Sequence, residues 1–282
     1  MEDSSKIITQ LPASPPGGGG EKLFIIKIGG NVIDDEKTLS SFLNDVAAIK
    51  GKKILIHGGG KIASKIGEQL GIASSYVNGR RITDAATIDL VTMVYGGLVN
   101  KKVVAQLQSK GCNAIGLTGA DANIIPAEKR PVKEIDYGFV GDIKQHEINT
   151  GNLFLLLDND LTPVFAPLTH DGKGQVLNTN ADTIAAALAV ALSKKYSVRL
   201  IYCFEKKGVL ENVEDDNSVI RVITKEIYKD LLDQHTLFDG ILPKIDNAFA
   251  AIGNGVKEVM IGDARDLLKN VTDETAGTLI IN

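Results

Sequence analysis

Three places in this 282-residue chain combine glycine, lysine and short polar side chains at spacings suited to a phosphate or a carboxylate. The first is Lys27-Ile28-Gly29-Gly30, a lysine and two glycines at the end of an apolar run. Glycines let backbone amides approach an anion without a Cβ in the way, and the lysine adds a point charge. A strand ending in a tight turn, with its lysine reaching for solvent, accounts for these four residues equally well. His57-Gly58-Gly59-Gly60 repeats the arrangement after the next apolar run. Two such turns in neighbouring units can face each other across one crevice, which a single turn does not imply. His57 itself reads as a buried strand-end histidine rather than a catalytic group. Neither segment matches the GxxxxGK[ST] phosphate loop or the full GxGxxG fingerprint, so ordinary P-loop and dinucleotide-binding folds are disfavoured. The third place is Asn178-Thr179-Asn180-Ala181-Asp182, just before an alanine- and leucine-rich segment. Asparagine and aspartate favour helix starts as caps. Two asparagines and an aspartate exceed one cap, and they offer amide donors to a carboxylate and a fixed negative charge to lysines. Lys244 opens a further helix after Asp239-Gly240-Ile241-Leu242-Pro243.

These groups need a scaffold that gathers them. Short apolar runs at residues 23–28, 53–56, 114–117, 163–166, 198–203, 258–261 and 278–281 read as strands. Longer segments of helical period occupy 39–49, 60–70, 85–110, a stretch ending near 157, and 183–193; Gly96-Gly97 is the weak point of the longest. Such alternation predicts an α/β three-layer αβα sandwich with a mainly parallel central sheet. Glycine turns directly after strands put the ligand crevice at the strand carboxyl ends. Residues 139–143, and 175–177 after the turn at Asp171-Gly172, look like hairpin material. Two lobes sharing one sheet are expected, an N-terminal lobe over 22–194 and a C-terminal lobe over 195–282. Residues 1–21, with Pro12, Pro15, Pro16 and four consecutive glycines, read as a flexible tail.

Composition sets outer limits. The chain is 44% hydrophobic and 23% charged with a net charge of −4, which fits a globular protein and argues against nucleic acid or anionic membrane as partner. Cys112 and Cys203 lie far apart without CxxC spacing, so neither a disulfide framework nor a zinc cage is expected and a reducing cytoplasm fits. Apolar runs stay shorter than the roughly 18 residues of a membrane span, and the N-terminus carries no apolar core of the secretory type.

Taken in order, the segments resemble the amino-acid kinase family, and within it the branch acting on N-acylated glutamate. The matching segments are KIGGN at 27–31, HGGGK at 57–61, NGRRIT at 78–83, VTMVYGGLVNKKVV at 91–104, NTNAD at 178–182 and DGILPK at 239–244. The resemblance implies ATP-dependent phosphorylation of a side-chain carboxylate, in arginine biosynthesis, with Mg²⁺ arriving on ATP and no metal site built from protein ligands. It implies that Lys27 and Lys244 hold the transferring phosphoryl group and that Asp182 orients them. Gly59, Gly60, Arg81, Asn178 and Asn180 would bind the acylglutamate, Arg81 gripping its α-carboxylate. Gly29, Gly30, Glu205, Gly208, Leu210, Thr236 and Phe238 would line the nucleotide side. Arg80 would be solvent-facing or at a subunit contact. One departure is Phe204-Glu205-Lys206-Lys207-Gly208, where the family usually reads Ser or Thr, Asp and Val ahead of a glycine. The sequence leaves open whether the acyl group is acetyl or succinyl, with N-acetyl-L-glutamate the expected acceptor and N-succinyl-L-glutamate the alternative; other kinases of the same fold, a non-catalytic binding module and a dehydrogenase are further alternatives. A homodimer joined near 91–104 is expected, since residues 1–21 are too rich in proline and glycine for a long interlocking helix.

Overall fold

The computed structural model describes residues 20–77, 79–212, 214–233 and 241–282. Residues 1–19 of the expected tail, and with them Asn78, Thr236, Phe238, Asp239 and Gly240, lie outside the described residues. Glu21, assigned to the tail from sequence, is already tied down. Its carbonyl accepts the Ser197 amide at 3.0 Å and its carboxylate lies 3.3 Å from Lys52.

Fourteen strands form among these residues: β1 Lys22–Ile28, β2 Lys52–Ile56, β3 Tyr76–Val77, β4 Arg80–Arg81, β5 Ala114–Leu117, β6 Ala127–Lys129, β7 Gly141–Ile143, β8 Thr162–Phe165, β9 Leu168–His170, β10 Val176–Asn178, β11 Ser197–Phe204, β12 Val222–Ile223, β13 Glu258–Asp263 and β14 Thr278–Ile280. Eight of them build one sheet in the order β12-β14-β13-β11-β1-β2-β8-β5. The six from β13 to β5 run parallel, and β14 pairs antiparallel with β13. The helices are α1 Gly30–Asp34, α2 Glu36–Ala48, α3 Gly60–Gln69, α4 Ala85–Val91, α5 Asn100–Ser109, α6 Thr150–Asp158, α7 Ala181–Leu192, α8 Lys225–Asp233, α9 Leu242–Gly253 and α10 Leu267–Asn270.

Central strand β1 is buried from Leu23 onward because helices cover both faces. Leu23 and Ile25 pack with α6, α7 and α9, whereas Phe24, Ile26 and Ile28 pack with α2, α3, α4 and α5. Each fully buried leucine or isoleucine contributes about 1.5–3 kcal/mol of transfer free energy, which fixes the register of the strand. Period-two alternation then puts Lys27 on the α7 and α9 face. The predicted helix over 85–110 is continuous but changes type: Thr92–Val99, containing Gly96 and Gly97, is π-helical between α4 and α5. Such widened turns recur at functional sites, and this one carries Tyr95 to the second glycine turn.

Sequence periodicity did not reveal β3, β4, β6, β9 or β12, which are two or three residues long. Six short strands form three ribbons, β3 with β4, β6 with β7 and β9 with β10, stitched by isolated bridges such as Thr83 to Gly138 and Val140 to Asn178. At the first bridge Gly138 has φ +72°, and a Cβ there would lie 2.1 Å from the Thr83 carbonyl oxygen. Thr83 is buried and its hydroxyl accepts from Asn178 Nδ2 at 3.0 Å. Backbone cannot yield as a flexible side chain can, so Gly138→Ala should destabilise the fold by about 2 kcal/mol or more. Urea unfolding checks this; an unchanged midpoint would show that the ribbon junction tolerates a side chain.

Candidate active site

The carboxyl ends of β2, β1 and β11 lie side by side, with Lys27 in register with Ile56 on one side and Tyr202 on the other. From β1 the chain passes to α2 on one face of the sheet, and from β11 to α9 on the opposite face. Adjacent strands whose connections leave to opposite faces open a crevice at their carboxyl ends. A cavity of about 510 Å³ occupies it, lined among others by Lys27, Gly29, Gly30, Phe204, Glu205, Gly208, Leu210 and Lys244. A second cavity of about 230 Å³ lies alongside, lined by Arg80, Arg81, Tyr95, Arg130, Asn178 and Asn180 among others. Gly58, Gly59 and Gly60 border both.

The two glycine turns do meet. A Cβ on Gly58 would come within 3.7 Å of the Gly30 amide nitrogen. Gly59 adopts φ +150°, and a Cβ there would press 3.0 Å against the Tyr95 ring, so the turn must be glycine at this position. Helix α3 starts at Gly60 with no side-chain cap, which leaves its first amides for a ligand. Of the glycine amides expected to face an anion, that of Gly29 is engaged by the Cys203 carbonyl at 3.3 Å. Lys61 Nζ donates to Asn31 Oδ1 and so ties one turn to the other. His57 is fully buried and neutral at physiological pH, because burial lowers its pKa to about 4. Its Nδ1–H donates to the Gly58 carbonyl at 2.6 Å, and Nε2 accepts from Asn100 at 3.1 Å. It holds the turn and has no free nitrogen for chemistry.

At the crevice floor Lys27 Nζ lies 2.8 Å from Asp182 Oδ1. Asp182 sits in the first turn of α7, where Asn180 Oδ1 accepts the amides of Asp182 and Thr183 at 2.8 and 3.0 Å. Asn178, Asn180 and Asp182 therefore do three different things. Asn178 braces Thr83, Asn180 caps α7, and Asp182 pairs with a lysine from the neighbouring strand. Pro243 at the start of α9 favours the helix there, and Lys244 follows it into the cavity. Burial, with Lys27 adding to it and Asp182 opposing, holds the Lys244 ammonium below the usual lysine range. Both ammonium groups lie over the Phe204 ring, Lys27 at 5.3 Å and Lys244 at 4.1 Å from its centroid.

In the smaller cavity Arg81 is buried. Its guanidinium donates to the Gly60 carbonyl and the Ser64 hydroxyl at 2.9 Å each, also donates to Ser74, and stacks 4.8 Å over the Tyr76 ring. All these partners are neutral, and among the described residues no carboxylate pairs with it. A buried cation without a counter-ion is costly unless a ligand brings one. Arg80 is exposed, but it borders the same cavity. Arg130 grips Asp142 with Nε and Nη2, at 3.0 and 2.5 Å from Oδ1.

On the nucleotide side of the expected site, Gly208 is required by packing: a Cβ would meet Thr278 Oγ1 at 2.6 Å, and that hydroxyl accepts the Val209 amide. Leu210 is buried at the cavity wall. Glu205 is exposed at its mouth, near enough to Asp34 to join burial in raising that carboxyl's pKa against the pull of Lys61. Tyr76, Tyr95 and Arg130 border the smaller cavity with no local spacing to announce them, since a π-helical turn and two short ribbons place them. Asn31 and Lys61 end two of the glycine motifs and were readable there.

The chain and its fold have counterparts among known proteins. The model of the amino acid kinase family matches residues 22–263. Acetylglutamate kinase of Phocaeicola vulgatus is 55% identical over 92% of this chain and 98% of its own. Acetylglutamate kinase of Cytophaga hutchinsonii is 54% identical over 93% of this chain and 99% of its own. Carbamate kinase of Giardia lamblia, at 13% identity, shares the fold with a TM-score of 0.66, covering 94% of this chain and 99% of its own. The chain belongs to the amino acid kinase family.

Proposed function

We propose that this protein transfers the γ-phosphate of ATP to the γ-carboxylate of N-acetyl-L-glutamate, releasing ADP and an acyl phosphate, as a step of arginine biosynthesis. The observation that carries the reading is the pairing of two unlike cavities across Gly58, Gly59 and Gly60. On one side two lysines lie near one aspartate, which pairs with Lys27; on the other a buried arginine has only neutral partners. Relatives at 54–55% identity bearing the name acetylglutamate kinase support the same substrate.

The larger cavity takes the nucleotide and the smaller the acylglutamate. Lys27 and Lys244 neutralise the phosphoryl oxygens as charge moves to the leaving group, and Asp182 fixes where Lys27 points. The amides opening α3 face the transferring group. Arg81 receives the α-carboxylate in two parallel hydrogen bonds, its Nη2 exchanging a neutral partner, Gly60 or Ser64, for the charged one. Gly29, Gly30, Glu205, Gly208 and Leu210, with Thr236 and Phe238 beyond the described residues, form the nucleotide wall. Asn178 and Asn180 stand at the acylglutamate wall. The nucleophile has an intrinsic pKa of about 4.3 and is already ionised, so no general base is needed. Mg²⁺ arriving on the nucleotide would screen its phosphates, with ligands mostly from phosphate and water.

Residues 22–194 form an acylglutamate lobe and 195–282 a nucleotide lobe in this reading. Two buried free cysteines fit a cytoplasmic setting. Met93 and Leu98, large, apolar and exposed on the π-helical stretch, fit a twofold contact of a homodimer. The resemblance ties inhibition by arginine to a long N-terminal helix, and three prolines and four consecutive glycines in residues 1–21 disfavour one by composition, so free arginine should not inhibit. Light scattering beside an activity titration should find a dimer mass and unchanged turnover at millimolar arginine; a hexamer or strong inhibition would refute this.

Steady-state kinetics test the chemistry. Turnover should require N-acetylglutamate, with free glutamate, carbamate and N-succinylglutamate poorer acceptors. Lys27→Ala and Lys244→Ala should each lower kcat roughly 100-fold or more, about 3 kcal/mol. Arg81→Lys keeps the charge but loses the fork, so KM for the acylglutamate should rise and KM for ATP stay. Preference for another acceptor, near-normal kcat in a folded lysine variant, or an effect of Arg81→Lys on ATP alone would overturn the assignment.

A further inference from the structure

We propose that Phe204 is the positioning residue of the two lysines, its ring holding Lys27 and Lys244 side by side before the nucleotide binds. Two ammonium groups brought to one crevice floor repel each other, and one carboxylate, that of Asp182, pairs with Lys27 at 2.8 Å. The face of the Phe204 ring lies within 5.3 Å of one ammonium and 4.1 Å of the other, inside the range at which a ring quadrupole attracts a cation. An aromatic face draws a cation without offering an oxygen acceptor, so the N–H donors of both lysines stay available to phosphoryl oxygens. A carboxylate or hydroxyl in its place would compete for those same donors.

The ring is itself held. It stacks on Tyr202, two residues earlier on the same face of β11, with centroids 6.2 Å apart and planes 19° from parallel. Tyr202 is buried, and its hydroxyl donates to the Asp182 carbonyl at 3.4 Å. Strand β11 thus fixes the aspartate through its backbone and both cations through a ring. The parallel register of Lys27 with Tyr202 sets their spacing.

This inference rests on the phosphoryl transfer proposed above, and its test separates the two. Phe204→Leu keeps an apolar side chain but removes the ring, whereas Phe204→Tyr restores one. In Phe204→Leu, kcat should fall about 10-fold or more while KM for MgATP stays within about threefold; Phe204→Tyr should regain most of the loss. The alkaline limb of kcat/KM should move to lower pH in the leucine variant alone. Lys27 of β1, Asp182 of α7, Lys61 of α3, Glu205 and Lys206 after β11, and Asp263 and Arg265 at the end of β13 are the other charges around the ring, and none is changed. Independently of any substrate, the Lys244 ε-methylene protons should resonate upfield under the ring current and return toward ordinary lysine values in Phe204→Leu. A raised KM for MgATP with unchanged kcat would make Phe204 a nucleotide-stacking residue, and equal losses in both variants would make it core packing. Either result, or an unmoved methylene resonance, overturns the proposal. Absence of acylglutamate-dependent turnover in the parent would overturn the function while leaving the resonance test standing.

Discussion

The ion pair between Lys27 and Asp182 joins two elements that the chain makes more than a hundred residues apart, the end of β1 and the start of α7. Its 2.8 Å separation requires β1 to be in one register, because a slip by one residue would turn Lys27 toward α2 and bring an isoleucine to α7. The same pair requires α7 to begin at Ala181, which the Asn180 cap enforces. Both constraints are met by ordinary core packing: Leu23 and Ile25 under α7, and a helix apolar enough to be buried along most of its length. Removing either partner leaves a charge in a place that is nine-tenths buried on the lysine side, where an unpaired ion is strongly destabilising.

Around that pair, in the proposed function, charge is distributed by what each cavity would receive. Two cations and uncapped amides surround the larger cavity, and a guanidinium held by neutral acceptors faces the smaller. The glycine turn between them would keep side chains out of the path of two approaching anions. Titratable bases are scarce at this junction for a chemical reason. A carboxylate acceptor needs no deprotonation, and the one histidine there is fully buried with both nitrogens engaged.

Much of this was legible in the sequence. The six parallel strands, the main helices and the crevice at their carboxyl ends follow from apolar periodicity and from glycines after strands, signals that core burial imposes directly. Lys27, Lys244 and Asp182 were legible only as members of motifs, since spacing alone cannot bring residues at 27, 182 and 244 together. The ribbon that carries Arg81 was not visible, because strands of two residues have no period to detect; residues 139–143 and 175–177 were legible as hairpin material, but not their partners β6 and β9. Nor was the capping duty of Asn180 separable from a ligand duty before the amides of Asp182 and Thr183 were seen to point at it. Phe204 read as a missing hydroxyl; its place over two ammonium groups depends on the pairing of β11 with β1, a contact between distant segments.

In the proposed mechanism charge neutralisation by held lysines, without a base, drives the transfer. The pH dependence of kcat/KM for MgATP, at saturating N-acetylglutamate, reports the ionisations of the enzyme before the nucleotide binds. Burial and the Lys27 charge lower the pKa of Lys244, so its ammonium is lost as pH rises and activity should fall on an alkaline limb below the ordinary lysine value of about 10.4. Between pH 6.5 and the start of that limb the profile should be flat. A second limb in the neutral range, reporting a group that must lose a proton before transfer, would contradict the account.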